Sequence, residues 1–156
     1  MIAINNYRQF FAELVAAASD KSGVEVSKTR LAVTETQLIN LLKDLTGVVV
    51  AGNIPNFDVT YDSYWLSCGE CIIYVLEKMP EDYQGTDREF ERFADLQALM
   101  SQLLQCVSGE TIQQFCDQAE LDISQGVRVE WEYNTFGGFN GLSATFHLKD
   151  KNGTGL

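Results

Sequence analysis

The chain reads as an α+β domain, an antiparallel β-sheet with a C-terminal hairpin and with helices packed on one face. Three observations predict this. First, Val127, Val129, Trp131 and Tyr133 alternate with Arg128, Glu130, Glu132 and Asn134; after a Gly/Asn-rich turn, Leu142, Ala144, Phe146 and Leu148 alternate with Ser143, Thr145, His147 and Lys149. Period-two alternation on both sides of a turn predicts a hairpin with one apolar and one wet face. Second, the chain upstream carries apolar stripes at helical spacing, which can cover that apolar face. Third, the order is helices, strands, a long helix, then strands again, a segregation that argues against alternating α/β.

Taken in order, residues 5–19 form the first predicted helix. Asn5 or Asn6 caps it, and Tyr7, Phe10, Phe11, Leu14, Val15 and Ala18 recur on one side. The stretch 23–29 is polar, with Val24 and Val26 as a short extended piece. Thr34 opens the second helix, with Gln37 at capping-box spacing and Leu38, Leu41, Leu42 and Leu45 as its stripe. Gly47 suits the left-handed residue that follows a helix end.

Val48 to Val50 begin the sheet, and the cluster 52–56, Gly-Asn-Ile-Pro-Asn, breaks it. Phe57, Val59 and Tyr61 then share one side of a strand, with a bend or bulge at Asp62-Ser63. Residues 64–78 are rich in Tyr, Trp, Ile and Val, and their length predicts a strand bent near Gly69 or two tightly joined strands. The segment 80–85 is an acidic loop, and Thr86 with Glu89 makes a second capping box. The longest helix follows over 87–107, with Phe90, Phe93, Leu96, Met100, Leu103 and Val107 as its stripe and Leu99 and Leu104 widening it. Residues 110–119 suggest one further short helix. Residues 1–150 make a single domain, and the polar, glycine-containing segment 151–156 is a loose tail.

The 22 acidic and 11 basic residues leave a net charge of −11. Such a surface repels phosphate backbones and anionic lipid, so direct nucleic-acid or membrane binding is not expected. No apolar run reaches the length of a membrane span, and the N-terminal residues lack a secretory pattern, so the expected location is cytoplasmic.

Candidate chemistry is sparse. Cys68-Gly-Glu-Cys71 has metal-pair spacing, but Cys106 and Cys116 do not supply a second close pair, and the residues after Cys71 read as strand rather than as a redox helix. Packing thiols are the better reading. His147, the only histidine, sits on the wet side of a strand, with no G-x-S-x-G to make it a catalytic base. The acid pairs Glu81-Asp82 and Glu130/Glu132 read as solvated faces. No catalytic residue, metal, cofactor or small-molecule substrate is therefore expected. The candidate protein-interaction residues are aromatic: Phe136 and Phe139 at the hairpin tip, and Tyr64 and Trp65 in the long strand. The tip pair either folds back on the core or is held for a partner.

The arrangement of Phe57-Asp-Val-Thr-Tyr-Asp-Ser-Tyr-Trp, Cys71-Ile-Ile-Tyr-Val-Leu-Glu-Lys and the hairpin from Tyr133 to Phe146 resembles small virion proteins of bacterial prophages, the tail-completion and tail-terminator group at the head–tail junction. The likeness is one of pattern across most of the chain. It implies a non-enzymatic structural subunit, a homo-oligomer or partner of other virion proteins, assembled into the particle. An acidic lumen in such a ring would let DNA slide past. The alternative is an intracellular adaptor or regulatory module with a protein partner.

Overall fold

A computed structural model describes residues 4–60, 65–108, 119–122 and 124–150. The elements are helices α1 (Ile4–Ser22), α2 (Glu35–Leu42) and α3 (Asp87–Ser108), and strands β1 (Lys28–Ala32), β2 (Val48–Asn53), β3 (Phe57–Thr60), β4 (Trp65–Lys78), β5 (Ala119–Leu121), β6 (Arg128–Thr135) and β7 (Phe139–Asp150). The fold is α+β, as the element order predicts.

One sheet holds the strands, with β1-β2-β4-β7-β5 as its path. The long strand β4 is its axis. On one side it pairs β2 and then β3; on the other it pairs β7 along nearly its whole length. The expected bend near Gly69 is a register shift between Ser67 and Glu70. There the Gly69 amide donates to the Asn56 carbonyl at 2.6 Å, closing the β3–β4 unit.

Two expectations need correction. The sheet is mixed, because β1 runs parallel to β2. The helices are not all on one face either. Helices α1 and α3 cover one side, where Phe10, Phe11, Leu14, Leu96, Leu99 and Leu103 meet Ile73, Val75, Leu142 and Phe146. On the other side α2 sets Leu38 and Leu42 against Val49, Ala51, Leu76 and Phe139. The physical reason lies in β2. Its Val48-Val49-Val50-Ala51 run is buried at every position, so apolar groups leave both faces of the strand and each needs a cover.

The helix faces follow the sequence closely. All six residues assigned to the α1 stripe are buried. Phe11 lies directly on Gly52, where an added Cβ would come within 2.9 Å of its ring. The first capping box forms in a shifted version, and the second only in its glutamate half. Thr34 accepts from the Gln37 amide at 3.1 Å, but the Gln37 side chain accepts from Val33, one residue before the cap. Ahead of α3, Glu89 likewise accepts from the Gly85 amide at 2.6 Å, while the Thr86 hydroxyl donates back to the Tyr83 carbonyl. Helix α2 ends sooner than its leucine stripe predicts, at Leu42 with Lys43 as its C-cap, so Gly47 with φ +75° belongs to the turn into β2 and not to the helix end.

Strand β1 was not expected. Its Lys-Thr-Arg-Leu-Ala sequence is short and half polar because it lies at the sheet edge. Strand β5 falls where a helix was expected to end; the rest of that helix, the bend at Asp62-Ser63 and the tail 151–156 lie outside the described residues.

Candidate protein-interaction surface

The hairpin has the predicted alternation, but its two strands are buried differently. On β7, Leu142, Ala144, Phe146 and Leu148 all belong to the core under α1 and α3. Strand β6 pairs only with β7 among the described residues, with Val129 opposite Ala144 and Trp131 opposite Leu142. Directly opposed residues project to the same face. Val129 and Trp131 therefore point to the α1/α3 side, as the alternation requires.

The described chain covers them only in part. Trp131 and Tyr133 are each 54% exposed, Val129 44% and Val127 40%. This corrects the expectation that the whole apolar face of the hairpin is covered. Helix α3 crosses above β4 and β7 and stops short of the edge. Its position is fixed by Arg92, which holds Glu77 of β4 with two bonds, Nε to Oε2 at 2.8 Å and Nη2 to Oε1 at 3.1 Å. That ion pair raises the Arg92 pKa further, the hydrogen bond to Glu77 being the leading cause.

The flank of α3 extends the exposed patch. Phe90 was expected in the helix stripe but is 64% exposed, since it lies at the helix start beyond the sheet's cover. Phe90 meets Phe93 edge-on at 6.2 Å, and Phe93 meets Trp131 at 5.3 Å between ring centres. The result is a row of aromatic rings from α3 to the sheet edge, continued by Tyr133 and the two valines. A cleft of 710 Å³ adjoins it, lined by Met79, Glu89, Tyr133, Asn134 and Asn140. On the opposite face of β6, Arg128 and Glu130 form an exposed ion pair at 3.4 Å, and Glu132 accepts a hydrogen bond from the Ser143 hydroxyl at 2.7 Å.

Phe136 and Phe139, two of the four residues expected to meet a partner, lie away from this patch. Phe139 is fully buried in the α2-side core, with the Lys78 ammonium over its ring at 5.1 Å. Phe136 folds back onto Tyr74, edge-on at 5.0 Å, and packs against the same core. Of the two alternatives for the tip, the structure adopts the folded-back one. Phe136 has φ +49° and the next two residues, Gly137 and Gly138, also have positive φ, so a tight turn brings both rings inward. Tyr64 lies outside the described residues, as does the side chain of Trp65.

Sequence reasoning missed the patch because Val127, Val129, Trp131 and Tyr133 carry the same alternation as their buried partners. The one available signal was Phe90, whose helical position leads the stripe by a turn.

The other described candidates lie apart from this patch, while Cys116 and the side chain of Cys68 lie outside the described residues. Cys71 and Cys106 are both buried, and the Lys21 ammonium lies 4.0 Å from the Cys106 sulfur. His147 sits opposite Glu70, with its Nδ1 atom buried. Near it, Asp122 has its carboxyl pKa lowered, chiefly by the hydrogen bond from the Ser124 hydroxyl at 2.6 Å. Among the described residues no three His, Cys, Asp or Glu side chains cluster as metal ligands. Among the same residues no helix is long and apolar enough to cross a membrane.

In comparisons with known proteins, no family model matches the chain, and no curated protein gives a significant match.

Proposed function

We propose that this chain is a non-enzymatic structural subunit that acts by self-association, and that the outer edge of β6 with its aromatic row is the contact. One observation carries the reading. A strand edge free of any partner among the described residues carries Val129 and Trp131 on one face, flanked by exposed Val127 and Tyr133 and joined through Phe93 to exposed Phe90 of α3. Contiguous exposed apolar surface of this kind marks protein contacts, and an unpaired strand edge offers backbone groups to a further strand. The sequence resemblance points to the setting, a phage-like particle, at its head–tail junction or tail end. The net charge of −11 suits a ring through which DNA passes without adhering.

The test is the mass in solution by light scattering over a concentration series, joined to electron microscopy of the same sample. The expected result is a defined oligomer with ring-shaped particles. Trp131→Glu, which puts a charge into the centre of the patch, should shift the protein to monomer with an unchanged far-UV circular dichroism spectrum. A wild-type chain that stays monomeric at every concentration would defeat self-association and favour the adaptor reading.

A further inference from the structure

The proposed self-association leaves open which surface of the neighbouring copy receives β6. We infer that it is β1 of the next copy, joined antiparallel and head to tail, so that the sheet continues from subunit to subunit. The inference rests on the self-association reading and adds the partner surface, the direction and the register.

Among the described residues β1, β3, β5 and β6 each pair on one side only, and of these β1 and β6 carry charges of opposite sign on one face of the sheet. Among the described residues β1 pairs only β2 and β6 only β7. Strand β1 runs parallel to β2, and each of the steps β2–β4, β4–β7 and β7–β6 is antiparallel. It follows that β1 and β6 run in opposite directions. A neighbouring copy that keeps the same sheet orientation therefore brings its β1 to β6 as an antiparallel strand, with the good hydrogen-bond geometry of such pairs.

The faces agree as well. Lys28 and Arg30 lie opposite Val49 and Ala51, which face α2. Glu130 and Glu132 lie opposite Ser143 and Gly141 on β7, and Ser143 is in turn opposite Tyr74, which packs on the α2-side core. Both charged sets therefore project from the same face of the sheet, basic at one edge and acidic at the other. Neither Lys28 nor Arg30 has a carboxylate within ion-pair distance among the described residues.

A single register satisfies both faces. With Arg30 opposite Glu130, Lys28 falls opposite Glu132. On the other face Thr29 meets Trp131 and Leu31 meets Val129. Opposite charges directly across a strand pair favour pairing, and like charges oppose it. Pairing β6 with a second β6 about Glu130 or about Trp131 instead sets carboxylates against each other.

The receiving edge is shaped for the aromatic row. Between α1 and β1 runs a cleft of 350 Å³ lined by Ala12, Val15, Ala16 and Thr29. It continues into a groove of 550 Å³ beside Arg8, Phe11, Leu31 and Leu41. The two alanines leave room on the side of α1 where the proposed register places Trp131 of the neighbour. Because two different surfaces meet, the contact is heterologous, and it builds a ring when the rotation between copies closes.

Charge reversal tests this directly. The variants Lys28→Glu/Arg30→Glu and Glu130→Lys/Glu132→Lys should each associate at least about tenfold more weakly than wild type at low salt, because each sets like charges across the junction. An equimolar mixture of the two should recover association, since alternating the two variants makes every junction complementary in an open chain or an even-membered ring. Circular dichroism and thermal melting confirm that each variant folds, and Lys28→Glu alone serves as the milder version. If the β1 variant associates as wild type does while Trp131→Glu still dissociates, the β1 assignment is wrong and self-association through β6 stands. If both charge variants dissociate but the mixture does not recover, the register is wrong. A monomeric wild type defeats both readings.

Discussion

Strands β6 and β7 carry the same alternating pattern and sit side by side, yet one is buried and the other is not. Phe146 and Ala144 of β7 have no accessible surface, whereas Trp131 and Tyr133 of β6 are more than half exposed. The local code of the two strands is equivalent; their lateral position is not. Strand β7 lies between β4 and β6 under α3, and β6 lies one strand further out, past the helix flank. Alternation states which face a side chain takes. Whether that face has a roof depends on how far the helices reach across the sheet, and the described helices leave the outer strand β6 half exposed.

Truncating the two strands is the widest test of that difference. Phe146→Ala should cost about 3–5 kcal/mol of stability, as emptying a closed aromatic site does. Trp131→Ala should change the stability of a single subunit by no more than about 1 kcal/mol. Chemical denaturation of both variants, at concentrations low enough to keep the chains apart, checks this. Equal losses would mean that β6 is roofed after all.

Next comes the attachment of β7 to the centre of the sheet. At Gly141 an added Cβ would run into the Val75 carbonyl of β4. Gly141→Ala should therefore cost about 3 kcal/mol, by parting the two strands that share the core. Serving as the control on the outer strand, Val129→Ala should leave the melting temperature nearly unchanged.

The position of α3 itself can be loosened through Glu77. Its two bonds to Arg92 are partly exposed, so after solvent screening Glu77→Gln should cost about 1 kcal/mol. Amide hydrogen exchange should rise in the first turns of α3 before it rises in β7. Faster exchange in β7 first would show that the ion pair does not hold the helix in place.

The smallest effect concerns Tyr74, on the face opposite the patch. Burial is the leading cause of its raised phenol pKa, with Glu132 and Glu35 adding to it. The folded state therefore holds this proton at pH values where the unfolded chain has released it. Stability from this group is complete below the unfolded value near 10 and declines as the pH rises from there through the folded pKa. Tyr74→Phe should flatten the alkaline limb of the stability–pH curve. An unchanged slope would place the loss in another group.

Much of the fold was legible in the residues. The stripe Tyr7, Phe10, Phe11, Leu14, Val15 and Ala18 named the buried face of α1 in full, because helical spacing leaves one solution for so wide an apolar face. Strand β4 and helix α3 were legible for the same reason, each being long enough to outweigh local noise in the pattern. Strand β1 was not, since Lys28-Thr29-Arg30 offers no apolar face and becomes a strand only by pairing with β2. The exposure of the hairpin tip was misjudged for a related reason. Phe136 and Phe139 appear exposed in a glycine-rich turn, and only the positive φ angles of that turn fold them onto Tyr74 and the α2-side core.

By itself, then, the sequence determined the elements, their apolar faces, the α+β class and the net charge, all of which depend on neighbours a few residues apart. Tertiary structure alone decided that α2 crosses to the second face, that β1 and β6 are open edges among the described residues, and that Trp131 is half exposed beside Phe93. Each of these depends on which strands lie side by side and how far a helix reaches across them. Such distances are set by contacts between residues far apart in the chain, and no local pattern encodes them.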